Sequence, residues 1–304
     1  MKKNIVAAAI IVIIAIAAAA GLLIKQNSRT GSVASRQAKK SVPARTYRVN
    51  GRTTYVYAKE SVLTGKKKVP LVLFMNGTGG DPQKQAVGSG WAKKAMSGKM
   101  IVISPKYDDA STYTEVPYIV KVVKKALRIY PVDSRRVYSL GFSNGGATSV
   151  ALTSTHPDMF AGIAMYGWAV DLERQSDYDM PFQVIEGTGE ATEYTVKKNP
   201  MVRVDVRHAI KELFTLNGMK QARITADYAR TPYWGYVPDS SYKRRVDGKN
   251  WTINNYQKTG YSAPFAQLIM ISKADHRVHA SEADYSWNFL KHFSRDSQGK
   301  IIEQ

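Results

Sequence analysis

"LGFSNGGATS", residues 140–149, holds Ser143 with a glycine two positions away on each side. The short apolar run before it is typical of a buried strand, and the stretch after it has the composition of a helix. A serine at a tight strand–turn–helix junction is typical of a nucleophile elbow, where small residues such as Gly141 and Gly145 let strand and helix approach closely. The stretch therefore predicts a nucleophilic serine, against the alternative of a glycine-rich turn without chemistry.

Short apolar runs recur along the chain and alternate with segments of helical spacing. The runs are PLVLFMNG (70–77), KMIVISP (99–105), RRVYSLGFS (135–143), FAGIAMYG (160–167), MPFQVIEG (180–187) and FAQLIMIS (265–272). Runs this short and continuously apolar are typical of parallel strands buried on both faces. Helices are predicted between and after them, over 118–130, 144–156, 205–216 and 282–293.

Two Asx-Gly pairs predict hairpin turns outside this alternating region. Asn50-Gly51 lies between segments of alternating aromatic and β-branched residues, and Asp247-Gly248 lies within the aromatic-rich stretch 226–264. We interpret most of those aromatic side chains as packing, with stacking on a sugar or aryl acid as the alternative. An N-terminal antiparallel hairpin followed by alternating strands and helices predicts an α/β fold, with a mostly parallel central sheet flanked by helices.

The N-terminus has the form of an export signal. Lys2 and Lys3 precede an apolar run over residues 5–24, which at 1.5 Å per residue spans about 30 Å, the thickness of a bilayer's hydrocarbon core. We therefore predict an N-terminal apolar helix in residues 1–24, acting as signal peptide or uncleaved signal-anchor, and an extracytoplasmic protein, membrane-anchored or secreted. The basic residues that follow would favour a cytoplasmic domain, but long domains translocate largely regardless of charge.

The charge is concentrated near the N-terminus. Residues 1–59 hold eleven Lys/Arg and no acidic residue, which is more than half of the net charge of +20. Residues 25–44 are polar and basic, so they predict a flexible tether that could contact an anionic cell-surface polymer. No nucleic-acid motif is present, so no nucleic-acid partner is expected. The chain has no cysteine, which excludes disulfides and thiolate metal sites.

Three segments resemble one enzyme group. VDSRRVYSLGFSNGGATSVALTSTHPDMFAGIAMYGW (132–168), PLVLFMNGTGGDP (70–82) and WNFLKHFSRD (287–296) are similar to the nucleophile segment, the oxyanion-loop strand and the closing helix of α/β-hydrolases of the polyhydroxybutyrate-depolymerase and feruloyl-esterase group. The resemblance covers roughly residues 45–296, which we take as the catalytic domain, and leaves 297–304 as a C-terminal tail. It implies a serine esterase with a Ser-His-acid triad that needs no cofactor and no metal.

The resemblance places the triad histidine just after the last strand of the sheet. His276, in "SKADH", stands closest to the position of the group's histidine, and His279 is the reserve. The other histidines, His156, His208 and His292, fall outside this loop. "DHRVH" could also be read as a metal pair, but a third ligand is not evident and the spacing alone is a weak signal.

The resemblance also places the triad acid, with departures from the group's pattern. The group shows His-Gly-Thr-x-Asp after the strand 180–187, and this chain shows Glu186-Gly187-Thr188-Gly189-Glu190. Glu190 therefore stands where the group has its acid. Glutamate can fill that role, because its carboxylate can orient an imidazole as that of aspartate does. The fallback acids are Glu193, Asp177 and Asp179.

The oxyanion hole is expected from two backbone N–H groups, those of Thr78 and Asn144. Asn76 stands where the group has histidine before the glycine of the oxyanion loop, and an asparagine there can form local hydrogen bonds.

The predicted function is an exported serine esterase that hydrolyses carboxylic esters through an acyl-enzyme. The candidate substrates are feruloyl or acetyl esters of plant polysaccharide, or polyhydroxyalkanoate-like polyesters. Two alternatives remain at this stage. One is a peptidase of the same fold, and the other is a catalytically silent surface-binding module, which the replacements at Asn76, Glu186 and Glu190 favour.

Overall fold

The computed structural model describes residues 43, 45–110, 112–167, 179–189, 195–196, 199–222 and 235–304. For residues 195–196 and 199–207 it describes the backbone elements alone. The predicted leader (1–24) and all but residue 43 of the predicted tether lie outside the described residues. Within the described part, no helix is both long enough and apolar enough to span a membrane.

A large sheet organises the described part of the chain. Its strands, in chain order, are β1 (Arg45–Val49), β2 (Arg52–Tyr57), β3 (Val69–Met75), β4 (Ile101–Pro105), β5 (Val132–Phe142), β6 (Gly162–Tyr166), β7 (Phe182–Gly187), β10 (Ser240–Val246), β11 (Lys249–Tyr256) and β12 (Ala266–Ile271). They hydrogen-bond in the order β1-β2-β4-β3-β5-β6-β7-β12-β11-β10. Two separate pairs complete the strands: β8 (Thr195–Val196) with β9 (Asn199–Arg203), and β13 (Phe293–Arg295) with β14 (Ile301–Glu303).

The six apolar runs form the parallel centre of this sheet, which confirms their prediction as buried strands. β4, β3, β5, β6, β7 and β12 pair in parallel with one another, in that order. Every residue of β3, β4, β6, β7 and β12 is buried, as expected where helices cover both faces. Because these strands are parallel, their carboxyl ends meet at one edge of the sheet.

Both predicted hairpins are present. Asn50 and Gly51 connect β1 to β2 with φ values of 49° and 76°, and Asp247 and Gly248 connect β10 to β11 with 49° and 75°. Positive φ at both central residues is the geometry that matches strand twist in a two-residue turn. The second hairpin adds two antiparallel strands beyond β12, and its exposed edge strand carries Lys and Arg side chains that discourage pairing with another chain.

The helices are α1 (Glu60–Leu63), α2 (Pro82–Gly88), α3 (Trp91–Ser97), α4 (Val116–Ile129), α5 (Asn144–Thr155), α6 (Val204–Leu216) and α7 (Glu282–Leu290). The predicted helices over 118–130, 144–156 and 205–216 agree with α4, α5 and α6 within two residues. The predicted helix over 282–293 ends earlier, at Leu290, because Phe293 begins β13. Helices α1 to α3 are too short to show a clear helical period in the sequence.

Helices cover both faces of the sheet, as two adjacent residues of β5 illustrate. The hydroxyl of Ser139 bonds to that of Ser149 on α5 at 3.1 Å. The hydroxyl of Tyr138, which points to the opposite face, donates to the carbonyl of Phe293 at 2.7 Å, on the side where α7 lies against β6 and β7. These two layers confirm the predicted α/β architecture.

Residues 297–304, separated in the sequence as a tail, are integrated with the domain. Strand β14 pairs with β13, and the carboxylate of Glu303 accepts hydrogen bonds from the backbone N–H groups of Ser262 (2.7 Å) and Ala263 (2.9 Å). Ile301 is 4% exposed and belongs to the main core, whereas its neighbour Ile302 is 39% exposed.

We therefore expect Ile301→Ala to lower the free energy of unfolding by about 2–4 kcal/mol, because it removes buried methyl groups and leaves a cavity. The matched control, Ile302→Ala in the same short strand, should change it by less than about 1 kcal/mol. Urea denaturation of both variants measures the difference. Equal effects would show that the last residues do not pack as the structure describes.

Candidate active site

Ser143 lies on a strained turn between β5 and α5. Its φ is 53° and its ψ is −123°, a backbone conformation that costs about 1–3 kcal/mol in a residue other than glycine. Its backbone N–H donates to the carbonyl of Tyr166 at 2.7 Å, which fastens the turn to the end of β6. The turn holds the side chain at the carboxyl edge of the sheet, where it is 8% exposed.

The glycines on each side of Ser143 are required by close backbone contacts. A Cβ atom on Gly141 would lie 2.2 Å from the backbone of Gly145, and one on Gly145 would lie 2.3 Å from the carbonyl oxygen of Met75 at the end of β3. Side-chain carbons do not approach backbone atoms this closely. The strand, the helix and the neighbouring strand β3 therefore meet only because these positions lack side chains.

The structure brings His276 to Ser143. Nε2 of His276 lies 2.9 Å from Oγ of Ser143, a distance at which the serine hydroxyl can donate to a neutral imidazole. The imidazole ring packs against the ring of Phe142, with centroids 4.7 Å apart. Gly167, at φ 76°, also lies close to the ring, because a Cβ atom there would be 2.9 Å from Cε1 of His276. These two contacts restrict the orientation of the imidazole.

The loop after β7 is fastened to the segment that leads into His276. The backbone N–H of Thr188 donates to the carbonyl of Ile271 at 2.9 Å, and its hydroxyl accepts from the N–H of Lys273 at 2.8 Å. The N–H of Gly189 donates to the carbonyl of Ala274 at 2.8 Å, two residues before His276 in the chain. Glu190 follows directly but lies outside the described residues, as do Glu193 and Asp177.

Asp179, the remaining fallback acid, lies at the wrong end of β7. Its carboxylate pairs with Lys258 and accepts from the hydroxyl of Tyr261 at 3.4 Å. It precedes the start of β7, whereas Ser143 and His276 lie at the carboxyl edge of the sheet, a strand length of roughly 17 Å away. Asp179 therefore cannot orient the imidazole of His276.

The other histidines occupy different surroundings. His279 places its ring edge-on against Trp251, with centroids 6.5 Å apart. His156 follows α5, with its ring nitrogen 3.0 Å from the hydroxyl of Thr155, His208 is exposed on α6, and His292 follows α7. Of the five histidines, the structure places His276 against the serine.

The loop after β3 lies against the serine, because a Cβ atom on Gly77 would be 2.9 Å from Cβ of Ser143. Three backbone N–H groups of this loop are engaged: Gly77 donates to Oε1 of Gln85 (2.9 Å), Gly79 to Oδ1 of Asp109 (3.2 Å) and Gly80 to the carbonyl of Gly77 (2.9 Å). Among the hydrogen bonds of the described residues, none uses the backbone N–H of Thr78.

The backbone N–H of Asn144 is also unused among the hydrogen bonds of the described residues. Asn144 is the first residue of α5, so its N–H has no carbonyl four residues earlier in the helix to bond. It follows Ser143 directly, so it is available to an acceptor at the serine. Among the described residues, neither of the two N–H groups expected to form an oxyanion hole, those of Thr78 and Asn144, is thus engaged in another hydrogen bond.

Asn76 is buried and cross-links the oxyanion loop. Its Nδ2 lies within hydrogen-bond distance of the carbonyls of Gly77 (3.0 Å) and Gly80 (3.1 Å) and of Oδ2 of Asp109 (2.8 Å). The hydroxyl of Tyr107 donates to the carbonyl of Asn76. Sequence reasoning missed Asp109 and Tyr107. Their position in the sequence could have indicated them, because they follow β4, whose carboxyl end lies at the same edge of the sheet as that of β3.

The sheet order, the covering helices and the strained serine at a strand–helix turn define the α/β-hydrolase fold as it occurs in serine hydrolases. Comparison with known proteins agrees. Residues 111–227 match the model of the prolyl oligopeptidase family. That segment includes the nucleophile turn and ends before His276.

Two curated relatives are esterases by name. The bifunctional acetylxylan esterase/xylanase of Neocallimastix patriciarum is 28% identical over 102 residues, which cover 32% of this chain and 15% of that protein. Feruloyl esterase B of Talaromyces stipitatus is 27% identical over 122 residues, which cover 40% of this chain and 31% of that protein. The matched segments thus span less than a third of either relative.

Among solved structures, the acetyl xylan esterase from Aspergillus awamori superposes with a TM-score of 0.57 at 14% identity, over 81% of this chain and 98% of that one. A structure from Bacteroides ovatus described as a dipeptidyl aminopeptidase IV superposes with a TM-score of 0.53 at 12% identity, over 83% of this chain and 36% of that one. Likeness at these identities shows the fold.

Gly167 offers a test of how the imidazole is held. A methyl group in Gly167→Ala would push on the ring of His276, so we expect Ser143 to react with a fluorophosphonate probe about 10- to 100-fold more slowly. The control is Gly260→Ala, since Gly260 also has a positive φ, 93°, but nothing lies within 4 Å of its added Cβ. Equal labelling rates in both variants would refute this packing of His276.

Proposed function

We propose that this protein is a serine hydrolase that cleaves carboxylic esters through an acyl-enzyme. The observation that carries the proposal is the 2.9 Å approach of Nε2 of His276 to Oγ of Ser143. The available N–H groups of Thr78 and Asn144 beside that serine support it, because nucleophile, base and oxyanion donors are the parts that acyl transfer requires.

In the proposed mechanism, His276 accepts the proton of the Ser143 hydroxyl as Oγ attacks the ester carbonyl carbon. The carbonyl oxygen becomes an oxyanion, which accepts hydrogen bonds from the N–H groups of Thr78 and Asn144. The imidazolium then returns the proton to the leaving alkoxide, which departs as an alcohol and leaves the acyl-enzyme. A water molecule, deprotonated by the same imidazole, attacks the acyl-enzyme, and collapse of the second tetrahedral intermediate releases the acid and restores Ser143.

For the substrate, we propose acetyl or feruloyl esters of plant polysaccharide. The support is the pair of curated relatives, whose names give acetylxylan esterase and feruloyl esterase activity. Polyhydroxyalkanoate-like polyesters, which the sequence resemblance also suggested, are the second class to test. Amide substrates form the rival class, because the family model that matches residues 111–227 is that of the prolyl oligopeptidases.

We also propose that the protein is exported, and that the segment 1–24 serves as signal peptide or signal-anchor. The support is the sequence itself: two lysines before twenty residues without charge. Contact of the basic segment 25–44 with an anionic surface belongs to the same proposal.

Replacement of the nucleophile tests the function directly. The full chain should hydrolyse at least one of four substrate types: short p-nitrophenyl esters, methyl ferulate, acetylated xylan and a hydroxybutyrate oligomer. We expect Ser143→Ala to lower kcat on that substrate by about 10⁶-fold, because the acyl-enzyme can no longer form. Ser154→Ala, which removes a hydroxyl bonded within α5, should keep wild-type turnover.

Wild-type turnover in Ser143→Ala would refute the mechanism. Hydrolysis of peptide substrates with no ester cleaved would favour the peptidase, and no reaction with any substrate or fluorophosphonate would favour a silent binding module. The Ser143-dependent activity also reports location, since its appearance in a soluble cytoplasmic fraction would refute export.

The acid of the triad is tested by a pair of glutamates. We expect Glu190→Gln to lower kcat by about 10⁴-fold, because the amide cannot stabilise the imidazolium and can favour the wrong tautomer of His276. The support is the hydrogen bond of Gly189 to Ala274, which fastens the residue before Glu190 to the segment before His276. Glu193→Gln should change kcat by less than about threefold. A large loss in Glu193→Gln with near-normal Glu190→Gln would transfer the role to Glu193.

A further inference from the structure

The two residues that supply the proposed oxyanion donors are joined through their side chains to one atom. The hydroxyl of Thr78 donates to the backbone carbonyl of Asp109 at 2.9 Å. The side-chain amide of Asn144 donates to the same carbonyl oxygen. Thr78 follows β3 and Asn144 begins α5, so the carbonyl of Asp109 is a cross-link between separate elements of the fold.

The carboxylate of Asp109 holds the rest of the oxyanion loop. Oδ1 accepts from the backbone N–H of Gly79 at 3.2 Å, and Oδ2 accepts from Nδ2 of Asn76 at 2.8 Å. These bonds engage the residues two positions before Thr78 and one position after it. Asp109 therefore fixes the loop on both sides of Thr78. Neither of these bonds uses the backbone N–H of Thr78.

Two neighbours of Asp109 bond to the same partners. The hydroxyl of Tyr107 donates to the carbonyl of Asn76, and the hydroxyl of Thr112 donates to Oδ1 of Asn144 at 3.0 Å. We call Tyr107, Asp109 and Thr112 together the clamp. The clamp is held to the start of α4, because the N–H of Asp108 donates to the carboxylate of Glu115 at 3.1 Å.

An oxyanion hole needs such a cross-link. Its donors must both lie about 2.7–3.1 Å from the place where the oxyanion forms, and a displacement of about 1 Å can cost about 10²-fold in rate. The N–H groups of Thr78 and Asn144 belong to different elements, so their separation depends on what joins those elements. The clamp joins them without using either N–H.

We propose that Asp109 is a positioning residue, which sets the separation of the two oxyanion donors. This inference rests on the proposed esterase function and deepens it. It assigns to the segment after β4 a role in stabilising the transition state. The nucleophile Ser143 and the base His276 lie in other segments, after β5 and β12.

The variant that tests it is Asp109→Asn, which keeps the shape of the side chain. An amide has one acceptor oxygen, so its NH₂ group must face a donor, either Nδ2 of Asn76 or the N–H of Gly79, and one of the two bonds is lost. We expect kcat to fall about 10- to 100-fold with KM changed by less than about twofold, because the defect appears where the oxyanion forms.

A second readout separates positioning from general damage. A trifluoromethyl ketone matched to the substrate adds to Ser143 and places a tetrahedral oxyanion in the hole, so its inhibition constant should rise by the same factor as kcat falls. The control is Asp158→Asn, the same substitution on an exposed side chain in the turn that precedes β6, at the opposite edge of the sheet from Ser143. It should leave kcat and the inhibition constant within about twofold of the wild type.

A milder variant keeps the test valid if Asp109→Asn folds poorly. Thr78→Val removes the hydroxyl bonded to Asp109 and keeps both the shape and the backbone N–H. It should lower kcat about 3- to 20-fold and raise the inhibition constant in parallel, with the thermal unfolding midpoint unchanged.

Unchanged kcat and inhibition constant in a folded Asp109→Asn, or a change in KM alone, would overturn the clamp while leaving the esterase function in place. A wild-type chain that hydrolyses no ester and does not react with a fluorophosphonate would overturn both. Parallel changes in kcat and the inhibition constant, with the Asp158→Asn control unaffected, would establish the role of Asp109.

Discussion

The site depends on one steric constraint, the backbone contact among β3, β5 and α5. Atoms of Met75, Gly141 and Gly145 lie so close together that a single added carbon at either glycine would overlap a neighbour by more than 1 Å. That contact allows Ser143 to leave β5 at φ 53° and enter α5 at once. It also brings Gly77 against the serine, so the oxyanion loop and the nucleophile are in contact.

Once the turn is fixed, the parallel strands deliver the other groups to the same edge. β3 leads to the oxyanion loop, β4 leads to the clamp, β6 leads to Gly167 beside the imidazole, and β12 leads to His276. The loop after β7 is then tied to the segment after β12 through Thr188 and Gly189. Each group is held at a strand end whose position the buried sheet determines, which is the arrangement that preorganised donors and bases require.

A buried chain of hydrogen-bonded polar side chains also supports the sheet. The indole N–H of Trp91 donates to the hydroxyl of Tyr166 at 3.1 Å, which donates to Ser286 at 2.7 Å, and the hydroxyl of Ser286 donates to Gln183 on β7. The amide of Gln183 continues the chain to Gln267 on β12 at 2.6 Å. These bonds join α3, β6, α7, β7 and β12, so the strands that carry Gly167 and the loop after β7 are cross-linked beneath the site. Burial and the lack of competing water strengthen such a network.

Much of this arrangement could be predicted from local sequence. Continuously apolar runs identified the six parallel strands, Asx-Gly pairs identified both hairpins, and the spacing around Ser143 identified the turn. The place of the hairpin 240–256 beyond β12 could not be predicted, because strand order depends on which edge remains open. The clamp was missed for a related reason: Asp109 acts through a backbone carbonyl and through bonds to residues more than thirty positions away, which no local pattern encodes.

The departures from the resembled group's pattern bear on whether the site is active. Asn76 stands where that group has histidine, yet its amide donates to the carbonyls of the oxyanion loop and to Asp109, so the loop keeps a buried donor at that position. The strain at Ser143 costs about 1–3 kcal/mol, a large part of a domain's stability of about 5–15 kcal/mol. A surface-binding module has no need of a serine in that conformation, with a base at 2.9 Å and two N–H groups left available beside it. The strained turn therefore favours catalysis over silent binding, despite the replaced residues.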